Sequence, residues 1–175
     1  NVKILRGNNP ETHEINDRDG NAIARIIGQS YESTREGKKM HLEYRVPDRD
    51  IWNIALLHTQ LEPTSSHYVP CSLGELKKNE DIHYWALGHI HKPVILSEDH
   101  PYIVYPGIPQ GRDFGEQGRG GFLLVEADPL EGINSIFMKT APIIYKRVDV
   151  FIDDDPESIP DELKDLEDRI YQKGC

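Results

Sequence analysis

Three histidines stand directly after apolar segments of the chain, in positions where they could bind metal ions. His58 ends the run IWNIALLH (51–58), and His89 and His91 follow YWALG (84–88) in a Gly-His-x-His motif. Residues two apart on an extended chain point to the same side, about 6–7 Å apart at Cα. This spacing suits one imidazole for each of two metals about 3.5–4 Å apart, as in two-metal phosphoester hydrolysis.

Buried strands must position these side chains. The two apolar runs predict strands that are buried on both faces, and ligands of open sheets gather beyond the carboxyl ends of strands. Gly88 leaves room for the backbone to turn into the site. We therefore expect His58, His89 and His91 to share one site. Four further histidines follow no apolar run of this kind and are expected at the surface: His13, His41, His83 and His100.

The remaining patterns predict a mixed α/β fold. A strand VKIL is expected first, then a hairpin of HEI and AIARIIG around the Asp19-Gly20 turn. A short helix is expected at SLGELKKN and a longer one at SIPDELKDLEDRIYQ, with a Ser-x-x-Asp box. Further strands are expected at PVIL, YIVYPG, GFLLVEAD, INSIFMK and IYKRVDVFI (144–152), and the acidic stretch at 153–158 is the best boundary candidate.

Composition indicates one well-buried domain with a small appendage, since the chain has 175 residues, of which 37% are apolar. No apolar run or signal-peptide pattern predicts a membrane span or secretion. Cys71 and Cys175 give no disulfide framework, so reduced thiols in the cytoplasm are expected. The chain begins at Asn1 rather than methionine, and we expect an internal piece of a longer protein.

The net charge of −10 at first argues against nucleic acid as a partner. It is concentrated at the end of the chain, because residues 151–175 carry −6 and residues 1–150 only −4. A mildly acidic domain can still bind DNA through divalent metals and a local basic patch. Charge therefore weakens that interpretation without excluding it.

The quoted segments resemble a known family. HYWALGHIHK, YIVYPGIPQGRDFGEQGRGGFLLVEAD and YKRVDVFI together resemble the second half of bacterial SbcD-like DNA repair exonucleases, which are calcineurin-like metallophosphoesterases. The resemblance implies an α/β metallophosphoesterase-type sandwich of mixed β-sheets flanked by helices, with only the second half of the fold present. Residues 1–142 would form that C-terminal half, and residues 143–175 the first strand and helix of a capping domain. It further implies that His58 and His89 share one metal and that His91 binds the other.

The earlier motifs of the family are missing from this chain. DIH (81–83) matches Asp-x-His but precedes a strand, so we interpret it as a coincidence. RGNNPE (6–11) has Asn9 where the catalytic histidine belongs, and we interpret it as a turn. Three neutral histidines cannot neutralise two divalent ions. We therefore expect no catalytic residue in this fragment, weak binding of one metal or none, and no hydrolysis by the fragment alone.

The resemblance implies that the longer protein is a DNA exonuclease or endonuclease. It would use two divalent metals, most simply Mn²⁺, and act with an SMC-like ATPase resembling SbcC. Two alternatives remain open: a calcineurin-like phosphatase or cyclic-nucleotide phosphodiesterase, and a non-catalytic assembly module. A half-sandwich would expose the sheet face and edge that its missing half covers, so self-association of the chain is also expected.

Basic and polar residues around the motifs are candidates for substrate contacts. Arg112, in the glycine-rich stretch YPGIPQGRDFGEQG, is predicted to bind a substrate phosphate, with a solvent-facing arginine in a turn as the alternative. His67 and Lys92 could also approach the substrate, although ordinary solvated side chains are the simpler interpretation for both.

Overall fold

A six-stranded mixed sheet forms the centre of the fold. The computed structural model describes residues 2–7, 9–61, 68–149 and 159–172. The strands of this sheet are β1 (Glu11–Asn16), β2 (Ala22–Gly28), β3 (Trp52–His58), β4 (Tyr84–Gly88), β5 (Val94–Ser97) and β6 (Tyr102–Tyr105). Their order is β1-β2-β3-β4-β6-β5. The four inner strands are parallel, and β1 and β5 add antiparallel edges.

A separate antiparallel hairpin and three short helical segments complete the described part of the chain. The hairpin consists of β7 (Gly121–Asp128) and β8 (Gly132–Lys139), and the helices are α1 (Leu73–Lys77), α2 (Ile159–Gln172) and a 3₁₀ helix (Met40–Glu43). These elements confirm the mixed α/β fold and most of the predicted strands and helices. Among the described residues, no helix combines the length and apolar character needed to cross a membrane.

Local sequence explains where α1 begins. Ser72 Oγ accepts a hydrogen bond from Glu75 N at 3.1 Å, and Glu75 Oε2 accepts one from Ser72 N at 2.8 Å. This reciprocal capping box satisfies two backbone donors that would otherwise be free at the first turn. The helix therefore starts at Leu73, with Leu76 buried against the sheet.

One face of the sheet carries the main hydrophobic core. Alternate residues of β3 and β4 point into it, so Leu57 is 2% exposed and Trp85 is fully buried. The 3₁₀ helix and α1 cover this face. Tyr44 stacks on Trp85 with ring centroids 5.8 Å apart, and its hydroxyl donates to the Leu56 carbonyl at 2.8 Å. This packing fixes β3 and β4 relative to each other.

The opposite face is covered over only part of its width. Leu123 and Val125 of β7 pack on Tyr84, Tyr102 and Val104, so β4 and β6 are shielded by the hairpin. Ile54 of β3 still packs against this cluster, but nearer the carboxyl end of β3 the described residues leave the face partly open, and Leu56 is 39% exposed. The prediction that β3 is buried on both faces is therefore wrong at this position.

Two predicted strands are absent where the structure describes them. Residues 2–6 form no strand. Leu5 O and Arg6 O accept hydrogen bonds from Ser30, beyond the end of β2, and Arg6 N donates to Glu11 Oε1 at 2.9 Å. Residues 144–149 also form no strand. Their polar backbone groups instead contact the glycine-rich loop (residues 106–120), where Gly118 N donates to Tyr145 O and Arg147 N to Gln117 Oε1. Residues 150–158, with the remainder of that predicted strand and the acidic stretch, lie outside the described residues.

His41 was expected at the surface and is instead 3% exposed. Neither of its ring nitrogens has a hydrogen-bond partner among the described residues, and Glu75 Oε2 lies 3.7 Å from Nε2. Burial disfavours the imidazolium form and lowers the pKa of His41, although the Glu75 carboxylate partly opposes this. A polar residue in a polar stretch gives no sequence signal of such burial. The two tryptophans of the apolar runs differ: Trp85 lies in the core, whereas Trp52 is partly exposed.

The two faces of β3 can be distinguished by neighbouring substitutions. Leu57→Ala should lower the free energy of unfolding by about 2–5 kcal/mol, because it opens a cavity in the covered core. Leu56→Ala should cost less than about 1 kcal/mol, since its side chain is already partly in water. Urea denaturation of the 175-residue chain measures both. Equal losses would mean that the Leu56 face is covered.

The burial of His41 predicts a pH-dependent stability. An unfolded histidine titrates near pH 6.5, whereas folded His41 protonates at lower pH, so the unfolded chain binds more protons as the pH falls below about 6.5. Stability is therefore complete above that pH and lost below it. His41→Met should reduce the loss of unfolding free energy between about pH 7.5 and 5.5.

The matched control for this measurement is His13→Met, because His13 is exposed on β1. Denaturation at a series of pH values should give the control the same slope as the unsubstituted chain. The prediction is wrong if His41→Met also keeps that slope.

Candidate metal centre

The carboxyl ends of β3 and β4 lie side by side and deliver two histidines to one point. His58 is paired in parallel register with Gly88, and Thr59 N donates to Gly88 O at 3.1 Å just beyond the strands. His89 is therefore the first residue after β4 at the edge where β3 ends with His58. This is the edge at which open α/β sheets collect ligands.

The imidazoles of His58 and His89 approach closely. His58 Nε2 lies 3.3 Å from His89 Nδ1, and the ring planes are nearly perpendicular at 88°. One nitrogen can donate an N–H to the other, or both can bind one cation. Two imidazole nitrogens that bind the same metal at about 2.0–2.1 Å lie about 2.8–3.0 Å apart at octahedral angles and about 3.3–3.4 Å apart at tetrahedral angles. The pair therefore fits two neighbouring positions around one metal ion.

Gly88 makes room for this pair. A Cβ atom at position 88 would lie 2.9 Å from His58 Nδ1, closer than real Cβ contacts allow. The glycine is required here because the ring of His58 fills the space beside it, rather than for a turn of the backbone as the sequence suggested. Its own backbone stays in β4.

His89 has a strained backbone. Its φ is 108°, a value that residues other than glycine rarely adopt. Such conformations persist only where surrounding contacts hold them, and they concentrate at functional sites. The turn at His89 redirects the chain immediately after β4 and places its ring against that of His58.

Two tyrosines surround the histidine pair and were not found from the sequence. Tyr31 packs edge-on against His58 with centroids 5.4 Å apart, and its hydroxyl donates to the His58 carbonyl at 2.5 Å. Tyr68 lies against His89 with centroids 4.8 Å apart. Burial, with the Glu36 charge, raises the pKa of Tyr31 to about 12, so it remains a donor. Both lie in loops, where no periodic pattern marks them.

His91 contacts a different set of residues. Its Nδ1 lies 2.5 Å from Glu116 Oε1, and Glu116 also accepts a hydrogen bond from Arg112 Nη2 at 2.9 Å. The hydrogen bonds from Arg112, together with His91, lower the pKa of Glu116 to about 2. Glu116 belongs to the same glycine-rich stretch as Arg112, but no motif in the sequence marks it as a site residue.

The three histidines still influence one another. Burial lowers the pKa of His58, and the neighbouring His89 and His91 lower it further, because a positive charge would be repelled by theirs. A neutral imidazole is the form that binds metal. Among the described residues, however, no group of three His, Cys, Asp or Glu side chains converges as a metal-binding set. The structure thus brings together His58 and His89, with His91 beside them on Glu116.

Arg112 lies on the glycine-rich loop next to β6, which is hydrogen-bonded to β4. Its side chain is 73% exposed and pairs with Glu116. Lys92 and Arg119 line a cavity of about 260 Å³ together with His91 and Glu116. Positive side chains therefore adjoin His91, as a site for phosphates requires. His67 lies outside the described residues.

The other histidines and motif-like segments lie elsewhere. His83 directly precedes β4, at the amino ends of the parallel strands. Its Nδ1 accepts a hydrogen bond from Asn53 N at 2.9 Å. Asp81 lies at the same edge, and its carbonyl accepts from the side chain of Asn53. His100 contacts Glu80 O there, and His13 is exposed on β1. Asn9 is also exposed. None of them adjoins His58.

His58 and His89 thus lie at the carboxyl ends of parallel strands, where ligands of open α/β sheets bind. No protein-family model matches the chain. The chain is 30% identical over 178 aligned residues to a protein of Bacillus subtilis (strain 168) described as "Uncharacterized metallophosphoesterase YhaO". The alignment includes 99% of the chain and 43% of that relative, so the chain spans less than half of its length. The chain is thus similar to part of a protein that is described as a metallophosphoesterase.

The contact between Gly88 and His58 predicts the effect of one added methyl group. Gly88→Ala should displace the His58 ring and weaken Mn²⁺ binding by the full-length protein about 10–100-fold, the range found when the orientation of a metal ligand is lost. Isothermal titration calorimetry measures the affinity. Gly74→Ala in α1 is the control, because its Cβ would meet nothing closer than 3.9 Å. An unchanged Mn²⁺ affinity in Gly88→Ala would contradict the interpretation of His58 as a metal ligand.

Proposed function

We propose that this chain contributes part of the divalent-metal centre of a phosphodiesterase that acts on DNA. The observation that carries the proposal is the 3.3 Å separation of His58 Nε2 and His89 Nδ1 at the ends of two parallel strands. Two further observations support it. The strained φ at His89 is typical of functional sites, and the lowered pKa of His58 favours the neutral imidazole that binds metal.

Each histidine has a separate role in this proposal. His58 and His89 hold one cation, and His91 holds a second. Bound divalent ions supply Lewis acidity toward the scissile phosphate. The residues of this chain orient the imidazoles: Gly88 admits the His58 ring, and Tyr31 and Tyr68 pack against the pair. Three neutral ligands cannot balance two divalent ions, so we propose that the longer protein supplies carboxylates and the acid that protonates the leaving oxygen.

The charges beside the site support a substrate with more than one phosphate. Lys92 and Arg119 line the cavity next to His91, and Arg112 pairs with Glu116 of the same lining, although the whole chain carries −10. A phosphodiester polymer presents further phosphates on either side of the scissile bond, which such cations can bind. A phosphomonoester would use only one of them. DNA is therefore the substrate that we favour.

The broader assignment follows from the sequence resemblance. We propose that the longer protein is a Mn²⁺-dependent DNA repair nuclease of the cytoplasm that works with an SMC-like ATPase, and that residues 143–175 begin its capping domain. Phosphatase or cyclic-nucleotide phosphodiesterase activity is compatible with the same histidines and is tested by the substrates below.

A second candidate, a non-catalytic assembly module, is favoured by one observation. No third metal donor converges on the His58–His89 pair among the described residues.

The histidine pair can be tested directly in the full-length protein. His58→Ala combined with His89→Ala should reduce Mn²⁺-dependent hydrolysis of a nicked or linear DNA duplex by more than about 100-fold, because one cation loses two ligands. It should also reduce the number of Mn²⁺ ions bound. His13→Ala is the control, since His13 is exposed on β1 away from the site.

Three substrates separate the candidate functions. Hydrolysis of duplex DNA with little activity on p-nitrophenyl phosphate or cyclic AMP supports the nuclease, and the reverse preference supports a phosphatase or cyclic-nucleotide enzyme. A protein that binds no Mn²⁺ and hydrolyses none of them is an assembly module. Metal affinity that is unchanged in the double variant would refute the site.

A further inference from the structure

Glu116 connects a histidine of the candidate metal centre to the glycine-rich loop. Its Oε1 lies 2.5 Å from His91 Nδ1 and 2.9 Å from Arg112 Nη2. Its Oε2 accepts from the Arg112 backbone N at 2.8 Å and from Arg112 Nε at 3.3 Å. The Glu116 side chain is only 14% exposed, compared with 73% for Arg112. One carboxylate therefore holds both a side chain and a stretch of backbone.

The chemistry of the contact fixes the proton of His91. An ionised carboxylate has only acceptors, so the nitrogen 2.5 Å away must carry the hydrogen. The bond that one ring nitrogen makes determines which tautomer is present. In its neutral form His91 is then the Nδ1–H tautomer, which has its lone pair on Nε2. A carboxylate behind a histidine ring is the usual partner of a metal-bound histidine, because it fixes the ring orientation and makes the opposite nitrogen more basic.

The loop is shaped around this glutamate. A Cβ at Gly111 would lie 2.6 Å from the Glu116 carbonyl oxygen, so the chain passes too close for any other residue. Gly115 N donates to Asp113 Oδ1 at 2.8 Å and Glu116 N to Asp113 O at 3.1 Å, which closes the turn before the glutamate. The position of Glu116 is therefore set by several backbone contacts. The exposed side chain of Arg112 is in turn held by the Glu116 carboxylate.

We propose that Glu116 is a positioning residue that holds His91 in the Nδ1–H tautomer, directs Nε2 toward a divalent cation and links that orientation to the Arg112 loop. The inference rests on the proposed function, in which His91 binds the second cation. Glu116 itself touches neither cation nor substrate. It makes the second metal position depend on the loop that would contact substrate phosphate.

The tautomer can be measured without metal. The full-length protein is labelled with ¹⁵N-histidine and treated with EDTA, and long-range ¹H–¹⁵N spectra identify the protonated nitrogen of His91. The unsubstituted protein should show Nδ1–H. Glu116→Gln keeps an acceptor oxygen and should keep this tautomer, whereas Glu116→Ala should populate Nε2–H, because the acceptor is lost. The proposal is overturned if Glu116→Ala leaves the tautomer unchanged, or if the unsubstituted protein already shows Nε2–H.

Metal titration gives the second measurement. Glu116→Ala should weaken one of two Mn²⁺ affinities about 10–100-fold and leave the other unchanged, as loss of a supporting carboxylate does elsewhere. Glu116→Gln should lose less. Glu126→Ala is the control, since Glu126 is exposed on β7. A residue needed only for loop stability would lower the melting temperature without either effect, and that result would contradict the proposal.

These measurements separate the inference from the function on which it rests. If the unsubstituted protein binds no Mn²⁺, the proposed function fails, and the tautomer of His91 still decides the role of Glu116. If Glu116→Ala does not fold, Glu116→Gln and Glu116→Asp take its place. Glu116→Asp withdraws the carboxylate by one methylene and should weaken Mn²⁺ binding more than Glu116→Gln does. Equal Mn²⁺ affinities in the unsubstituted protein, Glu116→Gln and Glu116→Asp would refute the proposal.

Discussion

The ring of His58 and the backbone of Gly88 occupy adjoining places on two parallel strands, and the missing side chain at position 88 allows both. Adjacent strands lie only about 4.8 Å apart, so a side chain at the end of β3 has room over β4 only where β4 carries none. The chain then turns at His89 with a positive φ and completes the pair. Core packing of Leu57 and Leu87 beneath it holds the two strand ends and so maintains this strained turn.

The site is built on supports of two kinds. His58 and His89 are attached to the ends of inner strands, whose covered face is close-packed. His91 stands three residues beyond β4 and depends on Glu116, which belongs to the loop between β6 and β7. Rigid elements hold ligands more accurately than loops do. In the proposed centre, one ligand pair lies on the sheet and one ligand in a loop, which would combine a fixed metal position with an adjustable one.

The sequence predicted the elements that depend on local pattern. The strands that end at His58 and Gly88, the hairpin at Asp19-Gly20 and the capped helix at Ser72 each carry their own periodicity or turn residues. The sequence could not predict features that depend on distant contacts. His41 is buried beside Glu75 of α1, and residues 144–149 bond to a loop instead of a strand. Tyr31, Tyr68 and Glu116 approach the site from separate segments. Family resemblance supplied the pairing of His58 with His89, which spacing alone left open.

Residues 143–149 hold the glycine-rich loop through hydrogen bonds and one aromatic contact. Gln110 Nε2 donates to Ile143 O at 2.9 Å, and Phe114 packs edge-on against Tyr145 with centroids 5.2 Å apart. Gly118 N and Gln117 Oε1 bond to Tyr145 and Arg147. A shift of this segment would move the loop, and with it Glu116 and His91, while His58 and His89 stay with the sheet. In the proposed centre, the spacing of the two cations would then depend on the backbone that follows β8, because a shift of that backbone would move the cation at His91 and leave the one at His58 and His89 in place.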